Sequence, residues 1–591
     1  MTFRPLKLRI ALGLAATACL CAPAAAQDSR TYFTARITQS DVPQVLSQSD
    51  RDYYGALFSA IDGERWGEVE GLLAQRPDGP LHAVARAEYY LAANSPRVEA
   101  PQIEVWMQSG RNLPQAEQLA RLGERRGASV PVTLPAKQGF VQQPGQVRRT
   151  RPRSVKDGTM PAEIEAAILE RITNDDPNGA RQLLDGIDAS LSSDARAEWR
   201  QRVAWSYFIE NMDDQALAMA RTVSEGTGEW VAEGQWVEGL AAWRLNDCET
   251  ALDAFRRSAY GAINPELRTA ALYWGARSAL LCRQPDQATE LLSLAAANDE
   301  TMYGMLAAEQ LGRALPDRVE SADFTEADWQ RLGGNENVRI AVALAELGRD
   351  VQSSEVLLHE AAIGRSSNYA ALSRLARSLG FPQTQLYMAY NAPVGTSSDP
   401  ASYFPAPKIA PRGGWQIDPA LAFAHILQES NFRASAVSPA NAQGLMQITP
   451  ITVRQHAGCV GQSSGSIDVF DESTNLALGQ CNIQMLRDDS AIRGELPKMM
   501  AAYNAGLTPV RRWESEVNDQ DDPLLYMEAI PYWETRSYVA IVMRNYWMYE
   551  RQAKAPSASR RALAQNVWPQ LTTGTAGEER GQTSGRVYFS N

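Results

Sequence analysis

Apolar residues recur at helical spacing through most of this chain, broken by short polar turns. From Ala162 to about Leu379 the pattern is a helix, a turn and a helix, again and again. The stretches WSYFIENMDDQALAMA from Trp205, LAAWRLNDCETALDAF from Leu240 and RSALLCRQPDQATELL from Arg277 align on one another. Their alanines Ala216, Ala251 and Ala288 stand 35 and 37 residues apart, the period of a tetratricopeptide-like solenoid. Units of that kind bury their apolar faces only against neighbours, so one stacked array of helical pairs is expected, with a later unit starting at Ala341. The predicted fold class is mainly all-α.

Composition shifts mark the segments. Residues 1–26 read as a signal peptide: Arg4, Lys7 and Arg9, a short apolar run from Ile10 to Cys21, then Ala24-Ala25-Ala26. Residues 27–134 read as helical, with no chemistry to assign. Residues 135–161 are rich in Pro, Gly, Gln and Arg and read as a linker or a strap across a surface, the solvated linker being preferred to contact of the basic cluster Arg148, Arg149, Arg151, Arg153 and Lys156 with an acidic polymer. A helical-repeat domain covers 162–400. After the break YFPAPKIAPRGG (Tyr403–Gly414) a second domain spans 415–552, and 553–591 form a C-terminal tail, read as a surface strap or disorder.

At 591 residues the chain exceeds one core. The net charge of −12 becomes −15 without the leader's basic residues, which argues against nucleic acid as a partner. Beyond the leader no stretch is apolar for long enough to span a bilayer. An exported protein with four remaining cysteines suggests disulfides. Proximity pairs Cys248 with Cys282 and Cys459 with Cys481; four buried free thiols are the alternative. Their spacings match no zinc pattern, so no metal or other cofactor is expected.

The candidate chemistry lies between residues 427 and 539, in LQESNF (Leu427–Phe432), QGLMQITP (Gln443–Pro450), AAYNAG (Ala501–Gly506) and EAIPYWETRSYV (Glu528–Val539). Asp418 and Pro419 suit the cap and first position of a helix that ends near Glu429. A carboxyl on such an apolar helix, shielded from water, has a raised pKa, as a general acid needs. Gly444 lets the backbone approach a ligand, and Gln447 offers an amide to a sugar.

In order and spacing these four segments resemble the catalytic domain of the soluble lytic transglycosylases, which cut the glycan strands of peptidoglycan. TMYGMLAAEQLG (Thr301–Gly312) resembles the helix that ends that family's helical superstructure. The resemblance implies a curved helical solenoid followed by a lysozyme-like C-terminal catalytic domain. It implies Glu429 as the single catalytic acid/base and Ser430 as its neighbouring hydroxyl. It also implies Gln443, Met446 and Gln447 along the glycan groove, Tyr503 and Asn504 on the sugar, and Glu534 and Tyr538 closing the cleft.

The implied reaction needs no second carboxylate. Glu429 protonates the glycosidic oxygen, the N-acetyl group of the muramic acid stabilises the positive anomeric carbon, and that sugar's C6 hydroxyl attacks it, leaving a 1,6-anhydro end. The expected location is the periplasm. The expected partners are glycan strands and, through the repeats, envelope proteins. Two alternatives stand beside it. One is a water-using muramidase with Asp468, Asp471 or another carboxylate as its second group; the other is a non-catalytic cell-wall-binding scaffold.

Overall fold

A computed structural model describes residues 28–38, 41–128, 133–316 and 323–571; the expected leader lies outside them. The described residues are overwhelmingly helical, with one two-stranded sheet.

The repeat is written into the backbone of its turns. Paired helices Ala162–Thr173 and Pro177–Asp185, Ser193–Ile209 and Asp213–Val223, Trp230–Arg244 and Cys248–Gly261, and Pro265–Leu281 and Pro285–Ala296 follow in register. Each turn holds one non-glycine residue at positive φ: Asp175 at 56°, Asn211 at 57°, Asn246 at 59° and Arg283 at 60°. Three of the four are Asn or Asp, the side chains that tolerate the left-handed region best. Each turn also closes with the same backbone bond, Asp176 N to Arg171 O, Met212 N to Tyr207 O, Asp247 N to Ala242 O and Gln284 N to Ala279 O, at 2.8–3.0 Å. The side chains of Asp176 and Asp247 then cap the following helices. A disulfide joins Cys248, at the start of one second helix, to Cys282, at the end of the next first helix, with Cα atoms 5.6 Å apart. Inside the array Trp199, Trp236 and Trp274 are fully buried.

Two apolar cores divide the chain. The first combines this array with the helices from Pro419 to Gln552 and with Phe33. The second joins residues 42–119 to residues 324–392, more than two hundred positions away. The unit beginning at Ala341 therefore packs against the N-terminal helices. Periodicity predicts an apolar face but does not say which face will cover it.

The segment 135–161, expected to be solvated, is bonded on both sides along much of its length. Phe140–Gln142 pairs antiparallel with Asn391–Pro393. Tyr403 donates to Pro144 O at 2.8 Å, and the buried Arg544 donates to Gln146 Oε1 at 2.8 Å and to Val147 O. Trp230 donates to Arg153 O at 3.0 Å, and Glu198 accepts from Ser154 and from Val155 N. Beyond its three-residue ladder the proline-rich segment is satisfied by side chains from both neighbours.

The ends of the described chain are anchored too. Helix Ser29–Thr38 lays Phe33 edge-on against Phe423 with ring centroids 5.3 Å apart. Past Gln552, helix Ala558–Ala564 buries Leu563, and Ser559 accepts from Trp547 Nε1 at 2.9 Å. Leu496 N and Gly494 O bond the backbone at Pro569 and Leu571. Residues 553–571 thus form a structured strap; the rest of the expected tail lies outside the described residues.

Candidate active site

Asp418 caps helix Pro419–Glu429 by accepting from Ala420 N, and nine of the helix's residues are buried. Glu429 ends it, partly open to solvent. Immediately beyond, Asn431 and Phe432 take φ of 50° and 60°, a sharp turn of two consecutive non-glycine residues in the left-handed region. Ser430 is buried, and its hydroxyl donates to Leu445 O at 2.8 Å and to Ile426 O at 3.2 Å. It ties the Glu429 helix to the turn opposite.

Helix Trp533–Gln552 packs along the Glu429 helix and supplies Tyr538. Tyr538 Oη donates to Glu429 Oε1 at 2.6 Å. Its other neighbour is His425 Nδ1 at 2.8 Å, one helical turn before Glu429. Since the single phenol proton goes to the carboxylate, His425 carries its proton on Nδ1 and donates to Tyr538. Burial pushes the His425 pKa down to about 3, which keeps the ring neutral. Its Nε2 has no partner.

Burial pushes the Glu429 pKa up to about 7; the Tyr538 hydrogen bond opposes this and the charge of Glu534 adds to it. The carboxyl is therefore poised to hold and release a proton near neutral pH. Tyr503 stacks obliquely on His425 with ring centroids 4.6 Å apart and donates to Met446 O at 2.8 Å. Burial, with the Glu429 charge, holds its phenol well above the usual value, so it stays protonated.

The QGLMQITP turn is held by a residue that the sequence analysis missed. Asn475 is fully buried, accepts from Met446 N at 2.8 Å and donates to Gln443 O at 3.0 Å and Val469 O at 2.8 Å. Gly444, at φ 77°, sits against that amide, where a Cβ would collide. Gln447, at φ 49°, donates to Gly444 O at 2.9 Å and to Ala436 O at 3.2 Å. Gln443 donates to Asn441 at 2.8 Å. Met446 points inward and is fully buried. A disulfide ties Cys459 to Cys481 on helix Glu472–Arg487, with Cα atoms 6.6 Å apart, and braces this wall.

The structure thus gathers Glu429, Tyr538, Tyr503 and the 443–447 turn around one carboxyl. Asn504 lies a helical step from Tyr503 and accepts from Thr535 at 2.7 Å. Glu534 is exposed at the start of helix Trp533–Gln552. Asp471 is occupied as the cap of helix Glu472–Arg487, and Asp468 accepts from Phe470 N at 2.9 Å. Among the described residues no second carboxylate bonds Glu429, and no His, Cys, Asp and Glu cluster suits a metal ion. A sequence signal existed for His425, which lies one turn from Glu429 on the same helix face; Asn475 carried none.

This arrangement is a helical scaffold with a lysozyme-like catalytic unit at its C-terminal end. Residues 407–525 match the Transglycosylase SLT domain, a stretch that stops short of Tyr538. A putative soluble lytic murein transglycosylase of Haemophilus influenzae is 28% identical over 300 residues, covering 47% of this chain and 46% of that protein. The soluble lytic murein transglycosylase of Salmonella typhimurium is 25% identical over 520 residues, covering 80% of this chain and 78% of that one. The chain thus spans about half the length of the Haemophilus relative and four fifths of the Salmonella one. An inactive mutant of the lytic transglycosylase Slt from Pseudomonas aeruginosa shares the fold over 90% of this chain and 79% of that one, at 18% identity and a TM-score of 0.50. Residues 407–525 thus carry the Transglycosylase SLT domain, and the relatives that this chain resembles are soluble lytic murein transglycosylases. No helix among the described residues is long and apolar enough to cross a membrane.

Proposed function

We propose that this protein is a periplasmic lytic transglycosylase that cleaves the β-1,4 bond after the muramic acid units of peptidoglycan and leaves a 1,6-anhydro end. The observation that carries this reading is Glu429: one carboxyl with a pKa near 7, bonded by a phenol and by no other carboxylate among the described residues. A hydrolase of the usual kind wants a second carboxylate about 5 to 10 Å from the first. One acid/base serves both halves of an intramolecular reaction.

Protonated Glu429 donates its proton to the glycosidic oxygen as the bond to the anomeric carbon breaks. The ionised carboxylate that results is stabilised by the hydrogen bond from Tyr538, itself polarised by His425. The same carboxylate then takes the proton of the C6 hydroxyl as that oxygen closes on the anomeric carbon. Glu429 ends protonated, ready for another turnover. Ser430, Tyr503 and Asn475 position this group and the opposite turn, while Gln443, Gln447, Asn504 and Glu534 border the substrate. The helical array is the superstructure that presents the glycan and offers a surface to envelope proteins.

Mass analysis of products from purified peptidoglycan tests this. Fragments lighter by one water than hydrolytic ones, absent with Glu429→Gln, are expected. Fragments of full hydrolytic mass would replace the reading with a muramidase.

A further inference from the structure

Helix Trp533–Gln552 has a second functional face. Thr535 and Tyr538 turn toward Asn504 and Glu429. Trp533, Arg536 and Ala540 turn the other way, into a cavity of about 190 Å³ walled by the helical array and by Arg149 and Arg151 of the strap. Glu429 is not among its lining residues.

The polar groups of this cavity are not matched to one another. Arg202 is paired with Glu198 at 2.7 Å, and Arg149 with Glu233 at 2.9 Å. Arg536 is only 7% exposed, yet its sole hydrogen bond goes from Nη1 to Glu528 O at 3.1 Å; Nε and Nη2 have no partner. Its guanidinium lies over Trp205 at 4.0 Å and near Trp533 at 5.2 Å. Arg151 lies over the same Trp533 at 4.3 Å, with no carboxylate bonded to it among the described residues. Burial draws the Arg536 pKa down to about 9 and that of Arg151 to about 10. A buried guanidinium left in this state calls for an anion to complete it.

The opposite need is present too. Glu233 is buried, and its Oε1 has no donor. Glu266 and Glu528 line the same space. Four arginines and three glutamates line it, a balance of one positive charge, which fits a singly charged anion better than a doubly charged phosphate ester. A ligand with one carboxylate and one N–H donor, on a small apolar body, satisfies both ends. The indole faces and Met302 suit that body, and the volume, below that of a drug-sized pocket, limits it to a few residues.

We propose that this cavity binds the C-terminal carboxylate of a short peptide, received by Arg536 and Arg151, with Glu233 accepting from the peptide's nitrogen. The two sources of such an end are wall peptides and ordinary peptides. The first rests on the peptidoglycan reading; recognition of the carboxylate does not.

Calorimetric titration of the full chain tests it, with D-alanyl-D-alanine, its C-terminal amide and L-alanyl-L-alanine as probes. The free D-acid is expected to bind and the amide to bind at least about tenfold more weakly. Arg536→Gln and the more exposed Arg151→Gln should each weaken the acid by a similar factor. Glu429→Gln should bind like the wild type, because the catalytic cleft is not involved. Binding of the L-acid as well supports the site and assigns it to ordinary peptides. No binding of either acid at about 10 mM, equal binding of acid and amide, indifference to both arginine variants, or loss of binding with Glu429→Gln would each overturn the proposal.

Discussion

Glu429 and Arg536 occupy opposite faces of one helical layer, and burial drives both toward neutrality. For the acid this is an asset: the raised pKa stores a proton that the proposed reaction needs. For the base it is a cost, since Glu528, Glu233 and the Trp205 ring compensate its charge only in part. Around Glu429 the neighbours are neutral donors, a phenol and an imidazole, arranged in series. Around Arg536 they are charged and aromatic, and incompletely paired. A shifted pKa thus marks a reactive group only where the surroundings complete its chemistry; Glu550, pushed up to about 8, is sealed in the interior and serves no substrate.

The comparison breaks most sharply at Glu429. Glu429→Gln should lower the cleavage rate by about a thousandfold or more, on the scale of losing an essential general acid. Because the folded pKa lies above the ordinary 4.5, the protonated form stabilises the fold. That contribution is complete below about pH 4.5 and is lost as pH rises through about 7. The variant should therefore unfold later than wild type at pH 8, by on the order of 2 kcal/mol in chemical denaturation. The wild-type rate should fall above about pH 7, in a pH–rate profile.

Next in size are the braces. Replacing Cys459 and Cys481 by alanine should cost about 3 kcal/mol of stability, and the Cys248 and Cys282 pair slightly more because its loop is longer. Only the first pair braces the wall opposite Glu429, so it should cost more activity in assays at a temperature where both variants are folded.

Tyr538→Phe should slow cleavage by about tenfold, and the descending limb of the profile should move to higher pH, since the lost hydrogen bond favours the ionised acid. A limb that stays in place would detach Tyr538 from Glu429. The smallest effect concerns the cavity. Arg536→Met should leave the melting temperature unchanged or raised by a few degrees, because it removes a buried, unpaired charge. A marked drop would mean that its stacking on Trp205 outweighs that cost.

What the sequence disclosed follows from range. The Glu429 helix was legible from Asp418, Pro419 and the apolar run after them, because capping and periodicity are local. The repeat was legible from alanine spacing, and the Asp and Asn turns give it a backbone cause. His425 was not singled out, since the hydroxyl that accepts its hydrogen bond belongs to a tyrosine 113 positions later. Asn475 carried no local signal, and only the folded chain shows it clamping the residues around Gly444. The Arg-rich strap read as solvated because its compensating groups, Glu198, Glu233 and Trp533, are scattered over more than three hundred residues.

The second core has a consequence in time. Residues 42–119 cover their apolar faces with residues 324–392. A chain that emerges from its N-terminus at about 5–20 residues per second exposes the first half of that core for ten seconds or more before the second half exists. The array from 162 to 310 waits less for its internal contacts, because each helix meets its neighbour within about forty residues. The N-terminal helices are thus the piece left uncovered longest, and the piece most in need of a chaperone while the chain is being made.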